Sequence, residues 1–396
     1  MRAVRVLILT SSTGGGHNMR ARAIQAWAQA CPEFGITAQL HRPLEESHGL
    51  YAFGVWLYNT IQRTAPFLHH IYYNVLEVIP FVSVGQPFGA EKFRAVLEQI
   101  RPDVLLSVHD SVNHDFFAYA RTVLGRDRVK CVTYCGELHG GYGFSRYWVN
   151  PEADLFIGAV PETCAAAIKL GMSPAKVKLG GFLLRRFFYE RPNLEPTEFN
   201  LLLSASSRGA NNHVAFLDAL KRANVDVPVT VLCGKSPAAT ARVAAWVKAN
   251  PTRRVRVQPH NSDIGELMRT ASAIVNRPGT GTTSEAILSG CPILLNCLGG
   301  IMPQERITVE FCRRHDIAYL VRKPSDLPKF VDAWRRDPAQ LAAVRQRLHA
   351  ACPPARPPDV LALIAGLMPD ADALAAQRLQ ATTPATSPAV PVFSEL

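Results

Sequence analysis

The chain has no window of about 20 uninterrupted apolar residues, the length a helix needs to cross a bilayer, so any membrane contact is expected to be peripheral. Nor do its nine cysteines form a CxxC pair, being dispersed over 396 residues. No secretory signal precedes the first apolar run, which begins within a few residues of Met1, and a reducing cytoplasm is expected. Charged residues are sparse at 19% and hydrophobic ones make up 48%, which excludes a disordered or fibrous chain and fits a globular one. What charge there is leans one way: 43 Lys and Arg stand against 32 Asp and Glu, a formal +11. Such an excess suits a polyanion or an acidic lipid surface. The basic residues come singly or in pairs such as Arg185-Arg186, Arg253-Arg254 and Arg335-Arg336, without a run interleaved with aromatics, and nucleic acid is not the expected partner.

Val4 to Thr10 is an apolar, β-rich run, Ser11 to His17 is polar and glycine-rich, and Arg20 to Ala30 holds strong helix formers. The same strand, loop and helix alternation recurs at Val104 to Val108 and Val129 to Tyr134, then at Leu201 to Leu203, Val229 to Cys233, Val255 to Val257, Ala273 to Asn276 and Ile293 to Asn296. Alternation of this kind predicts an α/β protein with parallel sheets. The proline-bearing stretch 191 to 196 divides it. We expect a first domain over 1–190, a second over 197–352, a further helix within 353–380 (about Asp359 to Gln380), and a disordered tail over 381–396. Residues 50–88 break the alternation with aromatics that include Trp56, Tyr58, Phe67 and Tyr72. They read either as a buried helical pair or as a surface that dips into lipid headgroups, and their place outside the expected sheet favours the surface.

Two loops carry candidate chemistry. Gly14, Gly15, Gly16 and His17 follow the first strand and open the first helix, where bare backbone admits a ligand and the helix N-terminus favours negative charge. Met19 stands where a dinucleotide fingerprint has its third glycine, and no complete Gly-x-x-x-x-Gly-Lys-Ser/Thr loop is present, so both of those nucleotide readings fall away. His17 reads either as a general base or as a histidine that caps its own helix. Later, Gly279, Thr280, Gly281, Thr282 and Glu285 follow a strand and begin another helix. Glu285 either holds a ribose diol or completes a capping box with Thr282. Both loops lie at carboxyl ends of expected parallel strands, where ligands collect in such sheets.

Taken in order, these residues resemble the monogalactosyldiacylglycerol synthases and processive diacylglycerol glucosyltransferases, over roughly residues 4 to 321. The second half is also similar to that of the peptidoglycan lipid-intermediate N-acetylglucosaminyltransferase. The resemblance rests on Ser12 to His17, on Ser107-Val108-His109, and on Trp148, Pro151 and Asp154 in a Trp-x-x-Pro-x-x-Asp pattern. It continues through the Gly181 to Arg185 turn, Ser204 to Gly209, Cys233-Gly234-Lys235, Pro278 to Glu285, and Pro303-Gln304-Glu305. It implies a GT-B fold, two Rossmann-like domains facing across a cleft. It also implies a donor site at Arg185, Ser206, Arg208, Lys235, His260, Gly279 to Thr282, Glu285, Gln304 and Glu305, and a cleft wall at Gly14 to Gly16, His109 and Trp148. Gly136-Glu137 stands where the family has Thr-Asp, and Leu138 to Tyr147 is longer than the family's loop, so Glu137 is the candidate carboxylate beside His17.

The expected activity is inverting transfer of a hexose from a UDP-sugar to a lipid hydroxyl such as that of diacylglycerol. His17 or Glu137 would be the base, with no metal or other cofactor, at the inner face of the cell membrane. His109 and His114 have no third ligand at metal spacing, and Asp370 and Asp372 read as solvated charge. The rivals are a transferase with a soluble acceptor, a sugar-nucleotide epimerase and a non-catalytic lipid binder. The sequence says nothing of oligomeric state.

Overall fold

Strands buried on both faces need apolar side chains without alternation, and runs such as Leu7-Ile8-Leu9 and Leu201-Leu202-Leu203 are fully covered. A computed structural model describes residues 3–13, 15–64, 68–78, 86–191, 194, 196–204, 212–258 and 264–368. Twelve strands among them form two sheets, parallel throughout. The first holds β1 (Val4–Leu9), β2 (Ile36–His41), β3 (Val104–Ser107), β4 (Lys130–Cys135), β5 (Leu155–Gly158) and β6 (Val177–Leu179), in the order β2-β1-β3-β4-β5-β6. The second holds β7 (Leu201–Leu203), β8 (Val229–Leu232), β9 (Val255–Gln258), β10 (Ala273–Asn276), β11 (Ile293–Asn296) and β12 (Ala318–Val321), in the order β12-β11-β10-β7-β8-β9. Each strand expected from the sequence is present to within a residue at either end. β2, β5, β6 and β12 were not singled out.

The chain passes between the halves twice. After β6 it runs through Gly181 to Glu190 to β7, and after the helix Pro338–Ala351 it returns to lay the helix Pro357–Ala365 on the first helix, Gly16–Ala30. The return is tight. Gly181 has φ of 69°, and a Cβ there would stand 1.9 Å from the Ala355 carbonyl oxygen, so no other residue fits without moving the returning strand. Tyr134, fully buried, donates to Gly181 O at 2.7 Å and accepts from Leu183 N–H at 3.0 Å, while Trp27 Nε1–H donates to Leu184 O at 2.8 Å. One apolar cluster therefore runs from Ile8 and Leu106 through Leu184 and Val360 to Leu203 and Ile274. The helix expected over Asp359 to Gln380 is described only as Pro357–Ala365, and the tail lies outside the described residues.

Among the described residues of the stretch 50–88 are two helices, Gly49–Thr64 and Leu68–Val78, attached beside the first sheet. Asn59 Nδ2 donates to Ser12 O at 3.2 Å, tying the first of them to the glycine-rich loop. Among the described residues no helix is long and apolar enough to cross a membrane.

Candidate active site

Strand order reverses between β1 and β3 in one sheet and between β7 and β10 in the other. Loops leaving the strand ends at such a reversal diverge and open a crevice. The two crevices face each other. A Cβ built on Gly281 would lie 3.4 Å from Met19 Cε and 3.9 Å from Gly16 Cα. The helices Gly16–Ala30 and Thr280–Leu288 therefore begin side by side, from opposite halves. Their N-cap residues are Gly15 and Gly279, and neither end has a capping side chain, so both present unspent backbone N–H groups and the positive end of a helix dipole.

His17 sits where the first helix meets β3. Its Nδ1 is 2.7 Å from Val108 O. A carbonyl only accepts, so Nδ1 carries the hydrogen and Nε2 keeps a lone pair. Burial, with His109 and Arg20 nearby, pushes the imidazole down to about 3, and it is neutral across the ordinary pH range. The His17 ring centroid is 4.4 Å from that of His109 and 5.9 Å from the buried Trp148. His109 Nε2 lies 2.6 Å from Thr13 Oγ1, and its Nδ1 is 3.1 Å from Asp110 Oδ1. Burial works against the Asp110 charge, yet the hydrogen bond and charge of His109, with those of His17 and Ser111, hold its carboxyl well below the usual carboxylate range. Glu137 behaves oppositely. Burial pushes it up to about 7, with Arg20 opposing.

These groups form one wall of a cavity of about 420 Å³, whose opposite wall is the aromatic helix pair with Leu50, Tyr51, Val55 and Tyr58. Gln304 reaches into the same cavity from the other half, its Oε1 buried and without a partner among the described residues. The long loop after β4 closes the side: Tyr73 O–H donates to Phe144 O at 3.1 Å, and Arg306 of the second half lies 5.2 Å from the Tyr142 ring centroid.

On the donor side, Glu285 is buried, with Arg185 Nη2 at 3.7 Å. Burial pushes its carboxyl up to about 7 and Arg185 draws it back. The helix here begins at Thr280 with Gly279 as its N-cap, so Thr282 and Glu285 do not form the capping box that the sequence allowed. Thr280 Oγ1 accepts from Arg20, and Lys235 is exposed at the carboxyl end of β8. Glu305 spends its carboxylate within its own half, on Arg277 and on the Met302 N–H at 2.9 Å. It is buried and holds the start of the helix Pro303–Arg314 that carries Gln304. Asp154, likewise, accepts from Arg121 at 2.8 Å and from Cys131 N–H at 2.7 Å. Gly14, Phe67, Ser206, Arg208 and His260 lie outside the described residues, as does the side chain of Tyr72. Trp56 is exposed and Tyr58 lines the cavity. Sequence reasoning missed Asp110, whose only signal was its place beside His109 at a strand end, and Arg20.

No family model matches the chain. Over 354 residues it is 26% identical to a chloroplastic monogalactosyldiacylglycerol synthase of Spinacia oleracea, covering 83% of this chain and 66% of that protein. Over 359 residues it is 22% identical to a processive diacylglycerol beta-glucosyltransferase of Bacillus licheniformis, covering 87% of this chain and 90% of the other. The chain thus spans just under two thirds of the plant relative's length. Its homologues are lipid glycosyltransferases. Among solved structures it superposes on MurG of Acinetobacter baumannii with a TM-score of 0.59, at 15% identity over 91% of this chain and 99% of that one. The architecture is the GT-B fold of glycosyltransferases, as expected from the sequence.

Proposed function

We propose that this chain is an inverting glycosyltransferase that moves a hexose from a UDP-sugar to a hydroxyl of an uncharged lipid such as diacylglycerol, working at the inner face of the cell membrane without crossing it. The observation that carries the reading is the cavity between the His17, Asp110 and Glu137 wall and the aromatic helices, into which Gln304 of the other half also reaches. A polar hydroxyl and an apolar chain each find a matching wall there.

In the proposed reaction the acceptor oxygen attacks the anomeric carbon as the bond from that carbon to the diphosphate oxygen breaks. UDP leaves with the bonding electrons, and the acceptor proton passes to His17 Nε2. The imidazolium formed there faces the ionised Asp110, which favours it. Arg185 and the uncapped end of the helix Thr280–Leu288 stabilise the departing diphosphate, while Glu285 accepts from the ribose and Gln304 meets the sugar. With charge supplied in this way the transfer needs no metal, and EDTA should leave the rate unchanged.

Membrane contact is assigned to the aromatic pair, where Leu50, Phe53, Trp56, Ile71, Val75 and Phe88 stand 49–61% exposed. Phe53 and Trp56 stack at 5.5 Å between centroids. Exposed apolar side chains in this number on and beside two neighbouring helices, in a protein of formal charge +11, suit an anionic bilayer surface.

The test supplies UDP-glucose or UDP-galactose with diacylglycerol vesicles and follows both UDP release and glycolipid. The reading predicts both products, and their loss in His17→Ala. UDP release without glycolipid, or an epimerised donor in the absence of lipid, would overturn the acceptor assignment.

A further inference from the structure

Arg20 lies on the first helix just past the glycine-rich loop, among residues that look like an ordinary solvated helix face, yet it is 4% exposed. Its Nη2 donates to Gly136 O at 2.7 Å and to Thr280 Oγ1 at 2.8 Å. The first partner follows β4 in one half and the second opens a helix in the other, so the guanidinium spans the floor of the crevice. Guanidinium has five N–H donors. Those on Nε and Nη1 have no partner among the described residues, and no carboxylate there lies within 4 Å of the group. Nη1 borders the open start of the first helix, since a Cβ on Gly16 would stand 3.5 Å from it. The site is also built to admit this side chain. A Cβ on Gly136 would lie 2.0 Å from Arg20 Nε and 2.3 Å from Cζ, so any other residue at 136 would evict it.

A buried cation without a counter-ion is costly, and this one lies between two uncapped helix N-termini whose amides also seek negative charge. We propose that Arg20 binds the diphosphate of the nucleotide-sugar donor, acting from the acceptor half across the crevice. The proposal rests on the donor reading above. It makes diphosphate binding a joint task of both halves: Arg20 contacts the anion with its unspent donors while its Nη2 bonds hold Gly136 and Thr280 in place. The same group opposes the upward push on Glu137, so donor and base walls share one cation.

The experiment measures binding of UDP and of uridine to the full chain by calorimetry, for the wild type, Arg20→Met and Gly136→Ala. Uridine keeps the base and ribose and lacks the diphosphate. Expected is a loss of UDP affinity of about tenfold to a hundredfold in Arg20→Met, the range of a charged hydrogen-bonded contact, with uridine affinity within about twofold. Gly136→Ala keeps the arginine but displaces it, and should show the same selective loss, which keeps the test decisive if Arg20→Met folds poorly. Equal weakening of UDP and uridine would overturn the proposal in favour of a purely structural strap, and so would unchanged UDP affinity. A wild type that binds neither ligand would remove the donor reading as well, which separates the two failures.

Discussion

Glu285 offers a stability test that needs no substrate. Its carboxyl, only 9% exposed in the side chain, is pushed from 4.5 up to about 7 by burial, with Arg185 drawing it back. Between those values the folded chain holds a proton that the unfolded chain has released, so stability falls as pH rises from about 4.5 and levels off above 7. Moving the titration from 4.5 to about 7, at about 1.36 kcal/mol for each tenfold change in proton affinity, gives a penalty on the order of 3 kcal/mol at pH 8. Glu285→Gln keeps the shape and removes the titration. Relative to wild type, the variant should therefore gain about 3 kcal/mol between pH 4.5 and pH 8, a melting temperature difference of a few degrees. All other groups cancel in that comparison. Thermal denaturation of both proteins in half-unit pH steps is the assay, and parallel curves with a constant offset would refute the reasoning. With donor bound the sign reverses, because a ribose diol donating to the carboxylate favours its ionised form. Binding of uridine, which carries the ribose and no titrating phosphate, should near pH 6.5 release protons in wild type and not in Glu285→Gln, as calorimetry in buffers of different ionisation enthalpy would record.

The remaining predictions concern the base, the membrane face and the crossing between the halves. His17 is neutral above about pH 3, so a rise in kcat/KM through pH 7 belongs to Glu137 and to the donor-binding Glu285, both pushed up to about 7 by burial. Glu137→Gln should abolish the part of that limb that survives in Glu285→Gln, whereas His17→Ala should lower the rate about 10²–10⁴-fold at every pH, and a limb that persists in the double variant Glu137→Gln, Glu285→Gln would reject the assignment. Replacing Phe53 and Trp56 with serine should weaken vesicle binding by about tenfold or more per residue and leave UDP affinity intact. The charge-driven part of that binding should fade between low and high salt, as vesicle sedimentation would measure. Tyr134→Phe strands the Gly181 carbonyl and the Leu183 N–H, and should cost roughly 1–3 kcal/mol, read as a lower melting temperature.

How much of this was legible varied with what neighbours each residue. Central strands such as Leu201–Leu203 and Ala273–Asn276 announce themselves because both faces are buried and every position but Asn276, at a strand end, is apolar. β2 and β6 are edge strands with exposed or half-exposed positions, Ile36–His41 and Val177–Leu179, and their mixed residues look like loop or helix. The glycine loop and the Thr280 cluster were readable because local chemistry marks a helix start that lacks a side-chain cap. The bond from Glu305 to Arg277 was not legible because that partner lies 28 residues earlier, although Pro303 two positions before an acidic residue also fits a helix start that caps itself. Arg20 was invisible. Its burial depends on Thr280, 260 residues away, and nothing in Met19-Arg20-Ala21-Arg22 separates the buried arginine from the exposed one.

Two peptide strands join the halves, near Gly181 to Asn200 and near Ala351 to Pro357, where one linker would have sufficed. A body held by a single pin can swing and twist in any direction, whereas one held by two can only fold about the line that joins them. Opening of the donor crevice should thus be a one-axis motion that returns Gly16 and Gly281 to the same register at each closure. The C-terminal helix, last to leave the ribosome among the described elements, then completes the acceptor half, so that half gains its full packing only after the donor half has been made.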